Sequence, residues 1–313
     1  MKVSVCIPVY GVEKYIERCA RSLFEQTMKE DIEFIFVNDC TKDKSIEILE
    51  QVLSEYPERK EQVKIIHHQK NSGLVAARKT GLAHAKGEYI AHCDSDDWVE
   101  NEMYETMYEK AKQNDADFVY CAHCLDDGFR HVKNRPVKRY QQMEYVLKDP
   151  DLFVGLWTKI FKREIALCSD FFVPDDICFG EDLLRVTQSL LKCKTVVGCT
   201  EAFYHYFHGN EGAYTSTFKR SSLEQWIKAV SFLKEHYTDK LDLTMWQGEI
   251  LFHTTIRYML TNAEYNALWR QERMKILLAP KLHPIKKIVV FMSFISYPLT
   301  AMMGKIIFKW RKR

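Results

Sequence analysis

The sequence lacks a large excess of either positive or negative charge. Its 45 Lys and Arg residues are balanced by 43 Asp and Glu residues, which leaves a formal net charge of +2. A nearly neutral chain creates no long-range field that would attract a polyanion. The sequence therefore gives no reason to expect a nucleic-acid partner. Its hydrophobic fraction of 46% is typical of a globular protein with a substantial core.

Two glycine- and cysteine-based motifs are also incomplete. The first strand-like segment, Val3–Val9, is followed only by Gly11, whereas a dinucleotide-binding loop needs several glycines there, which excludes an NAD enzyme. Cys121 and Cys124 form a lone CxxC pair, and a structural zinc site needs more ligands than that. Because the chain starts directly on a strand without a signal peptide, we expect a cytoplasmic protein with reduced cysteines.

Strand-like and helix-like segments alternate along the first 124 residues. Short apolar runs predict buried strands, and apolar residues at helical spacing predict amphipathic helices. The predicted strands are Val3–Val9, Ile32–Val37, Val63–His67, Glu88–Cys93 and Asp117–Cys121, and the predicted helices are Val12–Gln26, Ser45–Tyr56, Leu74–Ala85 and Asn101–Gln113. This alternation is typical of βαβ crossovers. It predicts an α/β fold with a mainly parallel sheet and helices on both faces.

The regular alternation ends after about Cys124. The later segments are a polar hairpin or loop at 126–136, a short helix Tyr140–Lys148, a mixed segment Leu156–Arg163, a helix Glu181–Lys192, a strand Thr195–Phe207, and helices from Ser221 to about Leu278. We therefore divide the chain into an α/β domain of residues 1–217, a helical appendage of residues 218–285 and a basic, apolar tail of residues 286–313.

The most informative segment runs from Asn71 to Trp98. It ends a predicted strand with three acids, Asp94, Asp96 and Asp97, and the carboxyl ends of strands are where α/β sheets bind ligands. Carboxylates packed this closely repel one another unless a hard cation compensates them, and oxygen ligands favour Mg²⁺ or Mn²⁺. For Asp97 alone the alternative is helix capping, because Asp97-Trp98-Val99-Glu100 fits a capping box with Asp97 as the N-cap.

This segment closely resembles the nucleotide-sugar site of the family 2 inverting glycosyltransferases, whose Rossmann-like fold is called GT-A. The matching residues are Asn71, Gly73, Arg78, Gly81, Gly87-Glu88-Tyr89-Ile90 and Asp94-Ser95-Asp96. The resemblance implies that Asn71, Gly73 and Ser95 line the nucleotide-sugar site. It also implies that Asp96 binds the metal directly, and that Asp94 lies toward the ribose and the metal-bound phosphates.

The same resemblance implies further contacts to the nucleotide. The loop Pro8-Val9-Tyr10 would cup the nucleobase, and Asp39 would contact the base. The alternative for Asp39 is a turn residue that starts the next helix. Arg78 would lie beside the nucleotide and support the acidic cluster or the phosphates, because a planar bidentate donor suits that work. Its alternative is an ordinary solvated helix arginine.

Glu181 and Asp182 open a predicted helix. Acids in a first helical turn favour the helix dipole, and that alone would suffice to explain them. Glycosyl transfer to a hydroxyl also requires a base, because an alcohol is a weak nucleophile. Residues 179–184, Phe-Gly-Glu-Asp-Leu-Leu, resemble the segment from which the family supplies this base. The resemblance implies Asp182 as the base and Glu181 as a supporting or acceptor-binding residue.

Two more segments resemble the family in part. Trp157 and Lys159 match an acceptor-side segment, where the ring would stack on a sugar and the ammonium would meet acidic groups. The alternative is a core tryptophan with a surface lysine. His208 falls in a segment, Tyr204–Ser216, where the family often has a loop over the diphosphate, and it would complete the metal ligands. The alternative is a structural or solvated histidine.

The segment Ile288–Gly304 carries no charge over 17 residues. As a helix it would measure about 26 Å, which is marginal for a bilayer core of about 30 Å. Ser293, Tyr297 and Thr300 lie along one side, opposite a broad apolar face, and cations flank both ends. We predict a helix that lies in the membrane surface and is attracted by anionic lipid. A buried packing helix and a true span are the alternatives.

The resemblance, together with the tail, implies an enzyme at the inner face of the membrane. It would transfer a hexosyl or N-acetylhexosaminyl group from a UDP-sugar, with Mg²⁺ or Mn²⁺, to an acceptor hydroxyl with inversion. The acceptor would be a glycan or lipid-linked saccharide in cell-surface polysaccharide synthesis. Two other classes stay open. A nucleotidyltransferase would release pyrophosphate, and an idle membrane-bound partner of another transferase would bind no donor.

Overall fold

The computed structural model describes residues 1–126, 130–132, 155–168, 173–174, 177–213, 219–237, 247–248, 250–252, 255, 260–269, 273–278 and 284–302. The chain divides into two compact units, Met1–Thr217 and Phe218–Arg313. The predicted helix Tyr140–Lys148 lies outside the described residues, as do most of the predicted 126–136 hairpin and the tail beyond residue 302.

The first unit alternates strands and helices as the sequence predicts. Its strands are β1 Val3–Val9, β2 Ile32–Asn38, β3 Val63–His67, β4 Tyr89–His92, β5 Trp98–Val99, β6 Phe118–Asp126, β7 Arg130–Val132, β8 Lys159–Lys162 and β9 Val196–Phe207. Its helices are α1 Ile16–Phe24, α2 Ser45–Ser54, α3 Leu74–His84, α4 Met103–Gln113, α5 Arg163–Ala166 and α6 Glu181–Lys192, with 3₁₀ turns at Pro57–Gln62 and Leu156–Thr158.

These strands form one mixed sheet in the order β3-β2-β1-β4-β8-β6-β9-β5, with β7 paired to β6. Strands β3, β2, β1 and β4 are mutually parallel. Beyond β4 the sheet is mixed: β8 is antiparallel to β4 and β6, and β6 is parallel to β9. The parallel prediction therefore holds for the amino-terminal half. The other half differs because the strand–helix alternation that builds parallel crossovers stops after α4.

Helices cover both faces of the parallel half, as predicted. The side chains of Val3, Val5, Ile7 and Val9 point to one face and share a core with α1, α2 and α4. Cys6 points to the opposite face and contacts α3, where a Cβ added to Gly81 would lie 3.1 Å from the Cys6 Cβ. Alternation along β1 thus gives each face its own helical layer.

Among the helices of the first unit, α1 shows the largest boundary difference from prediction. It begins at Ile16 rather than Val12, because the Tyr15 and Ile16 amides both donate to the Val12 carbonyl in a preceding turn. The predicted helix Glu181–Lys192 and strands Val3–Val9 and Val63–His67 have the predicted bounds. Apolar periodicity locates these elements well and their ends less well.

The second unit is helical in its described part, which confirms the predicted C-terminal helices. These helices are α7 Arg220–Tyr237, α8 Asn262–Trp269, α9 Arg273–Leu278, α10 Pro284–Ile295 and a following helix α11 at 297–302. Among the described helices, none is long and apolar enough to cross a membrane.

Candidate active site

The acidic cluster lies in the turn between β4 and β5, at the carboxyl end of the parallel sheet. Asp94 and Asp96 are half-buried, and Ser95 is buried between them. The Arg18 guanidinium donates to the Asp96 carbonyl at 3.1 Å, and the Asn210 amide donates to the Asp96 carboxylate at 2.7 Å. Two residues that are distant in the chain therefore hold this turn.

Asp97 does not cap a helix, which corrects that alternative. Strand β5 follows it directly, and α4 begins only at Met103. Its carboxylate instead accepts hydrogen bonds from the Tyr204 hydroxyl at 2.7 Å and the Phe207 amide at 2.8 Å. A long-range pairing with β9 has replaced the local capping box, so Asp97 fixes β9 beside the acidic turn.

Electrostatic repulsion is built into this turn. Burial and the charge of Asp94 raise the pKa of Asp96 above its usual range, and the Asn210 amide opposes that shift. Burial, with the charges of Asp96 and Asp94, also raises the pKa of Asp97 strongly. An oxygen-only donor set with this repulsion fits a hard divalent cation, which would lower the cost of keeping the carboxylates ionised.

The predicted set of three protein ligands, Asp94, Asp96 and His208, is not assembled. Among the described residues, no group of three or more His, Cys, Asp or Glu side chains is arranged to hold a metal ion. His208 is exposed, and its ring lies edge-on to Tyr206 at 4.8 Å between centroids. The side chain of that segment that does reach Asp96 is Asn210, so any cation would take few ligands from the protein.

Arg78 joins the acidic turn to α6. This buried arginine of α3 donates to the Asp94 carboxylate at 2.6 Å and forms an ion pair with Glu181. Glu181 is 2% exposed, so the pair lies out of water. The alternative of a solvated helix arginine is therefore wrong. Two segments that sequence reasoning assigned to metal binding and to catalysis are tied together by one side chain.

Asp182 follows Glu181 at the start of α6. Gly180, with a φ of +95°, provides the left-handed backbone from which the helix begins. The half-buried Asp182 carboxylate accepts a hydrogen bond from the Leu183 amide at 2.9 Å. Burial raises the pKa of Asp182 above its usual range, against the opposing charge of Arg78. A carboxylate with a raised pKa is a stronger base, which suits proton removal from a hydroxyl.

Asp39 organises the loop that precedes α3. Its carboxylate accepts hydrogen bonds from the Ser72 and Gly73 amides, both at 2.8 Å, and pairs with the His68 ring at 2.7 Å. Gly73 has a φ of +87°, which lets the loop turn into the helix. Asn71 is exposed, and its side-chain oxygen accepts from the Gly73 amide at 3.1 Å. A base contact by Asp39 stays a prediction.

The loop after β1 is connected to the segment that follows Asp39. The Gly11 amide donates to the Thr41 hydroxyl at 2.9 Å, which joins the loop to the segment that follows Asp39. Val9 is buried and Pro8 is half-buried, whereas Tyr10 is 53% exposed. An exposed ring at the carboxyl edge of a sheet is available for stacking, so the predicted nucleobase role suits Tyr10 best.

Trp157 and Lys159 are core residues here, which corrects the predicted acceptor contact. The Trp157 ring is 7% exposed and stacks on Tyr204 and Tyr206, with centroids 4.4 and 5.4 Å apart. The Lys159 ammonium is 1% exposed and donates to the Gly155 carbonyl at 2.6 Å and the Thr158 hydroxyl at 2.7 Å. Both residues are therefore buried, Trp157 in the 3₁₀ turn and Lys159 at the start of β8.

The buried Lys159 predicts an unusual pH dependence of stability. Burial lowers its pKa to about 7 from an ordinary 10.5, although Cys121 and Asp182 oppose the shift. Between those values the unfolded chain binds more protons than the folded chain, so the free energy of unfolding gains up to about 1.4 kcal/mol per pH unit as pH rises. In Lys159→Met this contribution should disappear.

Urea denaturation of both proteins between pH 7.5 and 9 measures this slope. The exposed substitution Lys112→Met is the control and should keep the wild-type slope. Equal slopes for Lys159→Met and wild type would show that the ammonium is not shielded from water.

Sequence reasoning missed three residues that shape the site: Arg18, Asn210 and Tyr204. Their partners in the acidic turn are 78, 114 and 107 positions away in the chain. Arg18 also lies 3.6 Å above the Trp98 ring, and that ring stacks on His205. No local pattern marks these contacts. The one usable signal was the polar content of the segment after β9.

Comparison with known proteins identifies the family. The model for "Glycosyl transferase family 2" matches residues 4–168, which is more than half of the chain. The chain belongs to glycosyltransferase family 2. The predicted family is therefore confirmed, and the matched region ends before α6 and Asp182.

Two relatives in this family illustrate the likeness. The "Uncharacterized glycosyltransferase EpsJ" of Bacillus subtilis is 33% identical over 216 residues, which cover 65% of this chain and 60% of EpsJ. The "Poly(ribitol-phosphate) beta-glucosyltransferase" of Bacillus spizizenii is 32% identical over 218 residues, which cover 69% of this chain and 34% of the relative. The match thus spans less than two thirds of either relative.

Solved structures share the fold of this family 2 chain. Staphylococcus aureus TarS 1-349, in complex with UDP-GlcNAc, has a TM-score of 0.70 at 16% identity and covers 99% of this chain and 92% of its own. The mannosyltransferase PcManGT from Pyrobaculum calidifontis, in complex with GDP-Man and Mn²⁺, has a TM-score of 0.59 at 14% identity over 100% and 88%. These likenesses confirm the predicted GT-A fold.

Proposed function

We propose that this protein transfers a sugar from a UDP-sugar to an acceptor hydroxyl, with inversion at the anomeric carbon. The observation that carries the proposal is the bridge made by Arg78 between Asp94 and Glu181. Through it, the acids suited to hold a diphosphate donor lie next to the helix start that carries Asp182. TarS, which shares the fold, has been solved with UDP and with UDP-GlcNAc, and this supports a uridine donor.

The donor would lie along the carboxyl edge of the parallel strands. Tyr10 would stack on the base, while Asp39 would keep the loop through Asn71 and Gly73 in place around the nucleoside. Asp94, paired with Arg78, would face the ribose and the first phosphate. The Arg78 guanidinium holds the Asp94 carboxylate in a fixed orientation for such contacts.

A divalent cation fits the turn that contains Asp96. Asp96 would hold Mg²⁺ or Mn²⁺, with Asp94 close by and Asn210 orienting the Asp96 carboxylate. When bound, such a cation offsets the negative charge that develops on the departing diphosphate. PcManGT was solved with Mn²⁺, which supports the use of a divalent ion within this fold.

Asp182 would act as the general base. It would take the proton from the acceptor hydroxyl as that oxygen attacks the anomeric carbon from the face opposite to the leaving diphosphate. Attack from the opposite face inverts the configuration. Glu181 is buried against Arg78, so its part is to hold α6 against the acidic turn rather than to bind the acceptor.

The acceptor would be a saccharide, either free or linked to a lipid, in cell-surface polysaccharide synthesis. The Bacillus spizizenii relative carries the name of a poly(ribitol-phosphate) glucosyltransferase, which supports a polymeric acceptor. A lipid-linked acceptor would place the enzyme at the inner membrane face. The basic, apolar carboxyl-terminal segment of the chain supports that location.

Metal dependence and the donor can be tested together. The purified protein is incubated with a panel of UDP-sugars and Mn²⁺, and UDP release is measured before and after a chelator is added. We expect release from one donor, its loss on chelation, and a reduction of about 10²-fold or more in Asp96→Asn, because the developing charge loses its compensation. The control Asp115→Asn changes an exposed acid at a position with positive φ that asparagine tolerates.

Three results would contradict the proposal. Release of pyrophosphate instead of UDP would indicate a nucleotidyltransferase. UDP release that is undiminished in the presence of the chelator would show that the reaction does not depend on a metal ion. The absence of both UDP binding and UDP release would indicate a protein without a working donor site.

A further inference from the structure

The helices α10 and α11 expose an unusually regular apolar surface. Six large side chains are between 54% and 75% exposed, and we refer to them as the outward stripe: Ile285, Ile288, Phe291, Ile295, Leu299 and Met302. They recur every three or four residues, so they lie on one face of the two consecutive helices. Contiguous exposed apolar surface of this kind marks an interaction site.

The opposite face of the same helices carries the polar groups and is buried. Ser293, Tyr297 and Thr300 are each 4% exposed or less. The Ser293 hydroxyl hydrogen-bonds Tyr265, and the Tyr297 hydroxyl donates to the Leu260 carbonyl at 3.1 Å. The Tyr265 and Tyr297 rings stack with centroids 3.9 Å apart. These contacts fix the rotation of the helices about their axis.

This arrangement is the reverse of a water-facing amphipathic helix. Such a helix buries its apolar face and exposes its polar face. Here the hydroxyls are satisfied inside the second unit, and the outer surface offers no hydrogen-bonding side chain along the stripe. The structure places the side that carries these hydroxyls against α8 and the residues that precede it. The outward stripe therefore suits contact with an apolar environment outside the protein.

Charge decides which apolar environment fits. Residues 284–313 contain seven cations and no acid: Lys286, Lys287, Lys305, Lys309, Arg311, Lys312 and Arg313. A second copy of the chain packed on this stripe would bring like charges together. An anionic lipid surface would complement them and would cover the stripe with acyl chains.

We propose that α10 and α11 lie flat in the interfacial layer of an anionic lipid bilayer, with the outward stripe inserted among the acyl chains. The inference rests on the proposed function only where it names the purpose of the contact, which is to hold the site near a lipid-linked acceptor. The contact itself follows from the stripe, the buried polar face and the cations. The proposed contact is with a single leaflet, and among the described helices none is long and apolar enough to cross a membrane.

Vesicle co-sedimentation with the purified full-length chain tests the proposal. Wild-type protein should bind phosphatidylcholine vesicles that contain about one third phosphatidylglycerol, and should bind more weakly in high salt or without the anionic lipid. The double variant Ile288→Asp, Ile295→Asp should lose about tenfold or more of that binding, because two carboxylates would have to enter the apolar layer. The matched control is Leu167→Asp, an apolar-to-acid change at a 40% exposed position in the first unit.

A milder pair, Ile288→Ser and Ile295→Ser, protects the test against misfolding, and retained helical circular dichroism shows that the fold survives. Equal vesicle binding by the stripe variants and wild type would overturn the proposal, as would a wild type that ignores anionic vesicles. A wild-type dimer that the stripe variants convert to monomer, without lipid binding, would assign the surface to a second copy.

UDP release in detergent separates the two proposals. A wild-type protein that releases UDP but does not bind vesicles would contradict the proposed membrane contact and leave the proposed function standing. A wild-type protein that binds vesicles but releases no UDP from any donor would contradict the proposed function and leave the membrane contact standing.

Discussion

Asp182→Asn is expected to lower the rate of sugar transfer by about 10³-fold while leaving the affinity for the UDP-sugar unchanged. Asparagine preserves the shape of the side chain and the acceptor oxygen that receives the Leu183 amide at 2.9 Å. It cannot take a proton from a hydroxyl. The loss should therefore appear in kcat, and donor binding measured by calorimetry should stay at the wild-type value.

The pH profile gives this prediction a second readout. Because burial raises the pKa of Asp182, the wild-type rate should fall as the pH drops through that raised pKa, where the base becomes protonated. The acid limb should be missing from the residual rate of Asp182→Asn. Asp115→Asn again serves as the control. Normal turnover of Asp182→Asn, or an unchanged acid limb in its pH profile, would show that another residue is the base.

Arg78→Met is expected to destabilise the first unit by about 3–5 kcal/mol, because it leaves the buried Glu181 carboxylate and the half-buried Asp94 carboxylate without their compensating charge. Arg78 is 4% exposed, and its partner Glu181 is 2% exposed. Arg78→Lys should recover only part of the loss, since one ammonium cannot replace a planar guanidinium that contacts two carboxylates. Urea denaturation of the variants measures these differences.

A double variant and a surface control complete this test. Adding Glu181→Gln to Arg78→Met should restore part of the stability, because the uncompensated charge is then removed. Arg21→Met changes a surface arginine whose side chain is 34% exposed and that also contacts two carboxylates, Glu17 and Glu55, and the change should cost about 1 kcal/mol or less. An Arg78→Met variant as stable as Arg21→Met would show that the bridge contributes nothing to the fold.

The parts of the fold that the sequence predicts well are those set by local pattern. Strand β1 and helix α6 have their predicted bounds, since β1 is a nearly continuous apolar run with Gly11 soon after it, and α6 is a clear amphipathic period that follows Gly180. The order of motifs along the chain also located the acidic turn and Asp182. These features depend on residues a few positions apart, which a single sequence displays directly.

The features that the sequence did not predict depend on distant partners. Strand β5 is two residues long and exists because it pairs with β9 about a hundred positions later. That pairing is also why Asp97 holds β9 instead of capping α4. Lys159 was predicted to contact the acceptor, with a surface position as the alternative, because alternation in a four-residue strand does not show which side of the sheet is covered. In each case tertiary pairing overrode a reasonable local interpretation.

The side chain of Asn210 has a consequence for how the site communicates with its surroundings. Its amide nitrogen donates to the Asp96 carboxylate, and its oxygen accepts from the Gly212 backbone amide at 2.9 Å. One planar group therefore connects an acid of the turn to a peptide hydrogen beyond β9. We therefore expect the Gly212 amide to exchange faster with solvent deuterium when a ligand of the acidic turn draws the Asp96 carboxylate away from Asn210.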